Sequence, residues 1–279
     1  MNILISYGDD RFRESVKRLK RQGRHSGRFD KIIMYSYDDL PDYIRSSPLM
    51  AFSRGGGFWV WKPYIIYQTL LKCQEGDVVY YLDAGCSINK DSSEWDVFQE
   101  LMKSNNAIFF KYRSAYEYPG WREVCSREEN CSPQIVHWMS PACVEFFARN
   151  FGNEDFLTCA KIWCGAIIIK RTSPLLAVLE EWYRITLFHP NLVIDPFGGE
   201  QDELPDTFNV HRHDQAILTP LVWRYQQHDG LCILDETAES APELAAIRAD
   251  RWRQARFSSL ALRIKYWLWR MLHGKSCCY

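Results

Sequence analysis

The stretch from residue 54 to residue 88 constrains the fold of this chain more than any other. It contains a run of three glycines, a helical pattern that begins near Pro63, a Gly-Asp turn and the short run VVYYL at 78–82. Proline fits the first turn of a helix because its missing N–H has no partner to lose there. A short β-branched and aromatic run is typical of a strand covered on both faces. The stretch therefore predicts a helix followed by a central strand of a layered α/β sheet.

An acidic residue, Asp83, follows this run directly, with the small residues Ala84 and Gly85 behind it. In open α/β sheets, ligands bind just outside the carboxyl ends of the strands. A carboxylate is a hard oxygen ligand for Mg²⁺ or Mn²⁺, and the two small residues leave room for a bulky ligand. A metal-bound diphosphate is one interpretation, and an Asp that only caps a turn is the other.

The pattern of strands and helices continues in both directions from this stretch. The first strand ends at Ser6 and Tyr7, which are candidates to hold a base or ribose, although a plain connecting loop fits them equally well. Gly165 interrupts a later apolar run and indicates a bulge or a close approach by a ligand. The predicted strands are 1–7, 29–35, 78–82, 107–111, 161–170 and 231–234, and the principal helices are 11–21, 94–103, 141–149, 173–186 and 214–225.

Two linked motifs, G-x-W-x-W-K-P-Y and GD-x-x-x-Y-x-D-x-G, span residues 57–85. They resemble the region around the DXD motif of GT-A glycosyltransferases, in particular the small transferases of bacterial capsule and O-antigen gene clusters. The resemblance implies a GT-A-like, Rossmann-type mixed sheet flanked by helices over residues 1–240. It also implies a nucleotide-sugar donor such as a UDP-sugar, and a divalent metal, Mn²⁺ or Mg²⁺, held by Asp83. The chain departs from the motif at Gly85, where the family has a second acid, and this puts metal dependence in doubt.

A second pair of motifs, CGAIIIK followed by HDQAILTPL, resembles the GT-A pattern in which a glycine-containing strand precedes Asp-Gln. By this resemblance, Asp214 and Gln215 would lie beside the donor sugar or the acceptor. From the residues alone, Asp214 is a general base, an anchor for a sugar hydroxyl, or an acid that only complements the helix dipole.

Three further residues are candidates for the donor site. His213 is a candidate metal ligand together with Asp83, although a single histidine is more often structural. Lys62 and Arg54 are the basic residues best placed in the sequence to neutralise a diphosphate leaving group.

The chain ends in a basic segment that we predict to be a separate tail over residues 241–279. Residues 251–279 hold seven Lys or Arg and no acid, which leaves −8 on the first 250 residues of a chain with net charge −1. The apolar face and two tryptophans within 257–273 predict a basic amphipathic helix in the plane of an anionic membrane. A helix docked on the domain is the alternative.

The sequence also predicts where the protein acts. Its first residues lack the basic and apolar regions typical of a signal peptide, it contains no run of about 18 apolar residues, and none of its ten cysteines forms a CxxC pair. We therefore expect a cytoplasmic protein, peripheral on the inner face of the cytoplasmic membrane. The overall charge gives no indication of a nucleic-acid partner.

Taken with the resemblance, these features predict a glycosyltransferase that extends a surface polysaccharide on a glycan or lipid-linked acceptor. A sugar nucleotidyltransferase is one alternative. It would need a Gly-rich basic loop directly after the first strand, and the sequence there, Ser6-Tyr7-Gly8-Asp9, is not one. A catalytically degenerate, membrane-associated scaffold is the other, and Gly85 is its best support. Hydrolysis of a UDP-sugar without acceptor would separate the three.

Overall fold

The central feature of the protein is a six-stranded mixed sheet, seen in a computed structural model that describes residues 1–114, 132–196, 204–226 and 230–250. The strand order is β2-β1-β3-β6-β5-β7, and β6 runs antiparallel to both of its neighbours while all other pairs are parallel. The six strands are β1 (Asn2–Tyr7), β2 (Lys31–Tyr35), β3 (Val78–Leu82), β5 (Ala107–Lys111), β6 (Ala166–Lys170) and β7 (Leu231–Asp235).

The sheet is covered on both faces, as the short apolar runs predict. Every residue of β3 is buried, because alternate side chains of a strand enter two different hydrophobic cores. Val79 and Tyr81 belong to one core, and Tyr80 and Leu82 belong to the other. The predicted α/β class, with a mixed sheet flanked by helices, is confirmed.

Eight α-helices, some of a single turn, are found within the described ranges. Helices α4, α6, α7 and α8 supply the core on one face of the sheet, and α1 and α5 supply the core on the other. The helices are α1 (Arg13–Ser26), α2 (Asp42–Arg45), α3 (Gly55–Phe58), α4 (Trp61–Leu71), α5 (Glu94–Ser104), α6 (Pro141–Phe151), α7 (Ser173–Phe188) and α8 (His213–Tyr225).

Local capping chemistry explains where these helices begin and end. Ser140 accepts a hydrogen bond from the Cys143 N–H, so it caps α6 at its start, and Pro141 occupies the first turn. Gly27 and Gly152 end α1 and α6 in the left-handed conformation, which glycine adopts without steric cost. No helix in the described part of the chain is long and apolar enough to cross a membrane.

A second, two-stranded sheet joins residues from both sides of the predicted domain boundary. Strand β4 (Cys86–Ile88) pairs antiparallel with β8 (Ile247–Ala249), and Ala245 and Ala246 are fully buried. Residues 241–250 therefore pack with the body in this structure, and the division of the chain at residue 240 stays a prediction. The predicted tail helix, within residues 251–279, lies outside the described residues. The strand predicted over 161–170 is also shorter than expected, since β6 begins only at Ala166.

Candidate active site

A cleft opens where the parallel strands β1 and β3 end, at the edge where ligands bind in open α/β sheets. Its volume is about 290 Å³, at the lower end of the range for small-molecule sites. Three chain segments form its walls: the turn after β1, the glycine-rich turn before α4, and the residues directly after β3. The lining residues are Tyr7, Gly8, Asp9, Arg11, Phe12, Ser53, Gly55, Gly56, Trp59, Trp61, Asp83, Ala84 and Gly85.

The glycine-rich wall of this cleft has an unusual backbone. All five residues from 55 to 59 have positive φ, including Phe58 at 51° and Trp59 at 59°. His213, at the start of α8, has φ of 44°, and its ring lies 4.9 Å from the Phe58 ring and 5.5 Å from the Trp59 ring. Each such residue costs on the order of 1–3 kcal/mol, and strain of this kind clusters at functional sites. Three strained side chains thus meet beside the cleft.

A buried ion-pair cluster lies next to the cleft and joins three distant parts of the chain. The Lys62 ammonium on α4 contacts Asp214 Oδ2 on α8 at 2.5 Å and Asp83 Oδ1, after β3, at 3.3 Å. It also donates to the Cys164 carbonyl at 3.2 Å. Lys62 and Asp214 are almost completely buried, whereas a third of the Asp83 side chain is exposed. Asp83 therefore belongs both to the buried cluster and to the cleft wall.

The electrostatics of this cluster favour its charged form. Burial by itself lowers the pKa of Lys62, but the two carboxylates, Asp214 first and Asp83 second, outweigh it, and the net pKa is raised. Burial, followed by the negative charge of Asp83, raises the pKa of Tyr81 well above its usual value. The Tyr81 hydroxyl consequently stays protonated and donates to Asp83 Oδ1. Lys62 and Tyr81 together fix the orientation of the Asp83 carboxylate.

Two acceptor atoms of the site remain open to a ligand. Oδ1 of Asp83 takes the contacts from Lys62 and Tyr81, while Oδ2 accepts no hydrogen bond from the described residues. Gln215 Oε1 is buried and likewise accepts none within those ranges. Because a buried polar atom without a partner is costly, Gln215 Oε1 is suited to a hydroxyl or N–H group of a bound substrate, and Asp83, which lines the cleft, can offer Oδ2 to the same kind of group.

His213 does not fit as a metal ligand beside Asp83, whereas a metal ion at the open Oδ2 atom of Asp83 stays a prediction. Among the residues that the structure describes, no three His, Cys, Asp or Glu side chains lie together as a metal-binding group. The Nδ1 atom of His213 bonds to the Val193 carbonyl at 2.7 Å, and Nε2 faces Asp195 at 3.7 Å rather than Asp83. Asp83 Oδ1 is already engaged by the Lys62 cation, which would repel a metal ion at the same oxygen.

His211 has a structural role beside His213. Its ring accepts from the Ser140 N–H at 3.0 Å and contacts the Leu192 carbonyl at 3.0 Å, so both nitrogens are satisfied. Burial, followed by the proximity of His213, lowers the pKa of His211 to about 3. The neutral imidazole, which lies just before α8, therefore connects the start of α6 to the segment that follows α7.

Three other predicted residues lie outside the cleft wall. Lys62 is only 1 % exposed and its ammonium is engaged by Asp214, Asp83 and the Cys164 carbonyl, so in this structure it orients carboxylates, and a phosphate contact stays a prediction. Ser6 is fully buried within β1 and outside the cleft wall, which makes it inaccessible to a base or ribose. A Cβ on Gly165 would meet the Trp163 ring at 2.3 Å, so packing explains this glycine without a ligand.

The remaining predicted residues lie at or near the cleft. Tyr7 and Gly85 line it. The Arg54 guanidinium lies beside it and pairs with Asp195 at 3.0 Å. Asp214 and Gln215 are adjacent at the start of α8, where Asp214 joins the buried cluster.

Sequence reasoning missed Arg11 and Trp61 as residues of the cleft wall. Arg11 forms an ion pair with Asp9 at 2.6 Å and donates to the Ser53 carbonyl at 2.9 Å, so it connects two of the three walls. The rings of Tyr7 and Trp61 stack with centroids 4.0 Å apart. The signal was present in part, because Asp9 and Arg11 follow directly on a predicted strand end.

One partly buried arginine supports the turn that carries Asp83. The Arg18 guanidinium on α1 donates to the Cys86 carbonyl at 2.7 Å and to the Ala84 carbonyl at 3.2 Å. These bonds fix the chain on the far side of the sheet from α4. Asp83 is therefore held from both sides, by its side chain through Lys62 and by the following backbone through Arg18.

Comparison with known proteins gives distant structural similarities. No protein-family model matches the chain, and no curated protein matches it. A glycosyltransferase involved in glycosylation of the major capsid of PBCV-1 is 12 % identical, covers 95 % of this chain and 97 % of its own, and has a TM-score of 0.45. Mouse xyloside xylosyltransferase 1 is 11 % identical over 85 % of this chain and 86 % of its own, with a TM-score of 0.40. An active-site mutant of LgtC is 13 % identical over 99 % and 97 %, with a TM-score of 0.39. Because these three TM-scores are below 0.5, the function is argued from the geometry of the site.

Proposed function

We propose that this protein is a glycosyltransferase that uses a nucleotide-diphosphate sugar, with a UDP-sugar as the donor. The observation that carries the proposal is the position of Asp83, held by the buried Lys62 cation and open to the cleft at one oxygen. A carboxylate fixed in this way can bind a sugar hydroxyl without reorganisation at the moment of reaction, which is the basis of electrostatic preorganisation.

The walls of the cleft suit the parts of such a donor. The stacked pair of Tyr7 and Trp61 offers an aromatic surface for the base. Arg11 supplies a cation within the cleft for the diphosphate, although its ion pair with Asp9 must loosen to do so. On this assignment, Arg11 takes the phosphate role predicted for Lys62.

On this proposal, Asp214 and Gln215 serve the reaction from the start of α8. The new glycosidic bond forms as an acceptor hydroxyl attacks the anomeric carbon. The bond from that carbon to the diphosphate oxygen breaks, the nucleoside diphosphate leaves with its electron pair, and the hydroxyl proton passes to the departing phosphate oxygen. Gln215 Oε1 has an unused lone pair for a substrate hydroxyl. Asp214 pairs with the Lys62 ammonium and so keeps that cation in place beside Asp83. We assign Asp214 a positioning role because its side chain is buried against Lys62.

The acceptor side of the proposal is a glycan, which can be lipid-linked, in surface-polysaccharide synthesis. Its support is the sequence resemblance together with the basic composition of residues 251–279, which suits an anionic membrane surface. The sugar nucleotidyltransferase alternative is less well supported, because the turn after β1 carries Asp9 and an Arg11 already paired to it rather than a free basic loop.

Ligand-induced stabilisation and turnover test the proposal. UDP and UDP-sugars should raise the apparent Tm by mass action, more than ADP or GDP does, and the protein should slowly hydrolyse its cognate UDP-sugar. Asp83→Asn should reduce turnover at least a hundredfold while the protein stays folded. Asp91→Asn, an exposed acid paired only with its neighbour Lys90, is the matched control. Unchanged turnover in Asp83→Asn, or no response to any nucleotide sugar, would refute the proposal.

A further inference from the structure

Lys161 is a buried cation that the proposed reaction leaves without a role. Its side chain lies in the segment leading into β6 and is 4 % exposed. Its ammonium stands 3.8 Å from the centroid of the Trp138 ring and 4.1 Å from that of Tyr112. Within the described ranges no carboxylate forms an ion pair with it, and the charge of Glu239 acts on it only from a longer distance. Aromatic faces attract a cation only modestly, so they do not replace the hydration that a buried ammonium has lost.

A second cation, Arg212, shares the same aromatic ring. Its guanidinium lies 4.9 Å from the Trp138 centroid, and its buried Nε atom has no hydrogen-bond partner among the described residues. The ring itself is fixed, because Trp138 Nε1 donates to the Ser132 carbonyl at 2.9 Å. The Arg212 N–H also donates to the Trp138 carbonyl at 3.0 Å. Burial first, and Arg212 second, lower the pKa of Lys161 well below its usual value.

Two like charges at one ring have no bonded counter-charge among the described residues, which suits this position to an anion. Both cationic groups lie within 5 Å of a single ring centroid, so an oxyanion at this ring is attracted by both charges. Lys and Arg hydrogen bonds to such oxyanions are the strong, charge-assisted kind. An anion there would stabilise the charged form of Lys161 and accept a hydrogen bond from the Nε–H group of Arg212.

The location of this pair places it next to the reaction centre. Lys161 precedes Cys164, whose carbonyl accepts from Lys62, by three residues, and Arg212 precedes Asp214 by two. Tyr112 follows β5 at the same edge of the sheet as Asp83. Neither cation lines the donor cleft, so the counter-charge is not the donor diphosphate.

We propose that Lys161 and Arg212, arranged on the ring of Trp138, form an acceptor subsite for an oxyanion, either a phosphate or a carboxylate. The inference rests on the proposed function for the nature of the reaction. It adds that the acceptor is an anionic glycan, such as a sugar phosphate or a uronic acid.

The test compares three acceptors that differ only at C6: a neutral methyl glycoside, its 6-phosphate and the corresponding uronic acid. In the wild-type protein, kcat/KM should be at least tenfold higher for one of the anionic acceptors, and the preferred one identifies the source of the oxyanion. Lys161→Met should reduce that ratio about tenfold or more, the loss expected for one charge-assisted contact. Lys161→Arg should recover most of the ratio. Lys90→Met, at an exposed lysine, should leave it unchanged.

A binding measurement separates this inference from the proposed function. Inorganic phosphate and acetate should raise the Tm of the wild-type protein, and the Lys161-dependent part of the shift should be lost in Lys161→Met. If Lys161→Met does not fold, Arg212→Gln takes its place in the same measurement. A protein that ignores UDP-sugars but shows this shift refutes only the proposed function. Equal kcat/KM for all three acceptors, or an anion shift that survives in both variants, overturns the subsite.

Discussion

At the scale of single residues, the most consequential arrangement is one buried ammonium between two carboxylates. Lys62 and Asp214 are separated by 152 residues in the sequence and their charged atoms by 2.5 Å in the structure. A buried ion pair gains little over an apolar pair of the same shape, but removal of one partner leaves an uncompensated charge. The cluster therefore contributes orientation to Asp83 more than it contributes net stability.

Removal of the ammonium gives a test that distinguishes orientation from stability. Lys62→Met should lower the free energy of unfolding by about 3–5 kcal/mol, because Asp214 is left buried and charged. The double variant Lys62→Met/Asp214→Leu should recover most of this loss, while turnover stays abolished because Asp83 is no longer fixed. Urea unfolding and UDP-sugar turnover of the single and double variants measure both effects. A single variant as stable as wild type would contradict the buried-charge account.

His211 makes a prediction about the pH dependence of stability. Its folded-state pKa is about 3, below the usual value of about 6.5 in an unfolded chain. Since only the unfolded state binds the proton between these values, this stabilisation is present above pH 6.5 and is lost as the pH falls towards 3. The loss is at most about 1.4 kcal/mol per pH unit. His211→Asn should reduce the slope of the unfolding free energy between pH 6 and pH 4 by up to that amount.

Urea unfolding at several pH values measures this slope. The matched control is His25→Asn, which removes an imidazole from the exposed surface of α1. The general loss of hydrogen bonds in His211→Asn shifts the whole curve and does not alter its slope. A variant curve parallel to that of wild type would show that His211 is not the group responsible.

At the scale of elements, the glycine-rich turn before α4 is the part of the site whose shape the local sequence dictates. Gly57 has φ of 98°, and a Cβ there would meet Met50 Sδ at 2.5 Å and Met50 Cα at 3.0 Å. Gly27, with φ of 66°, also has a left-handed backbone conformation, but a Cβ there would meet nothing within 4 Å. The pair separates the cost of backbone strain from the cost of a steric clash.

Alanine substitution at these two glycines should have unequal effects. Gly27→Ala should cost about 1–2 kcal/mol, the penalty of a left-handed conformation for an L-residue. Gly57→Ala should cost more than this and should also weaken UDP binding, because the turn that forms one wall of the cleft must move. Urea unfolding and isothermal titration with UDP measure the two quantities. Equal destabilisation, or unchanged UDP affinity in Gly57→Ala, would show that the turn adapts.

At the scale of the whole molecule, the last described residues pack against the segment that follows β3. The pairing of β8 with β4 carries residues 241–250 back to the segment directly after Asp83. Ser92 Oγ also donates to the Leu244 carbonyl at 2.6 Å, and the Ala246 N–H donates to Glu94 at 2.7 Å. These contacts attach the end of the described chain to the functional part of the sheet.

Two truncations test the division between body and tail. A protein ending at residue 250 should unfold with nearly the full-length free energy, and one ending at residue 240 should be less stable by several kcal/mol. The second loses the burial of Ala245, Ala246 and Ile247 and a complete β-ladder. Both should lose binding to anionic vesicles, which the seven basic residues of 251–279 are expected to provide at about 1 kcal/mol each.

Vesicle sedimentation and urea unfolding give the two readouts. Full-length protein should bind anionic vesicles most strongly at low salt, where electrostatic attraction is screened least, and neutral vesicles serve as the control. Full-length protein that ignores anionic vesicles would refute the membrane role. Loss of folding in the protein that ends at residue 250 would instead favour the tail as a docked part of the domain.

Much of the fold could be predicted because its signals are local. The runs at 78–82 and 107–111 are strands with the predicted bounds, since a buried strand needs only a few consecutive apolar residues. Ser140-Pro141 predicted the start of α6 because capping depends on adjacent residues. The position of Asp83 at the end of a central strand followed from the same reasoning.

The tertiary structure decided which of these residues act together. Cys86–Ile88 is too short to be recognised as a strand, and it exists as one because β8 supplies its hydrogen bonds from about 160 residues away. Lys62, predicted to bind phosphate, contacts Asp214 and Asp83 in the structure, while Arg11 lines the cleft. A side chain's partner depends on where distant segments of the chain lie in space. Local pattern reports burial and backbone conformation, but it carries no information about which remote charge a buried cation will meet.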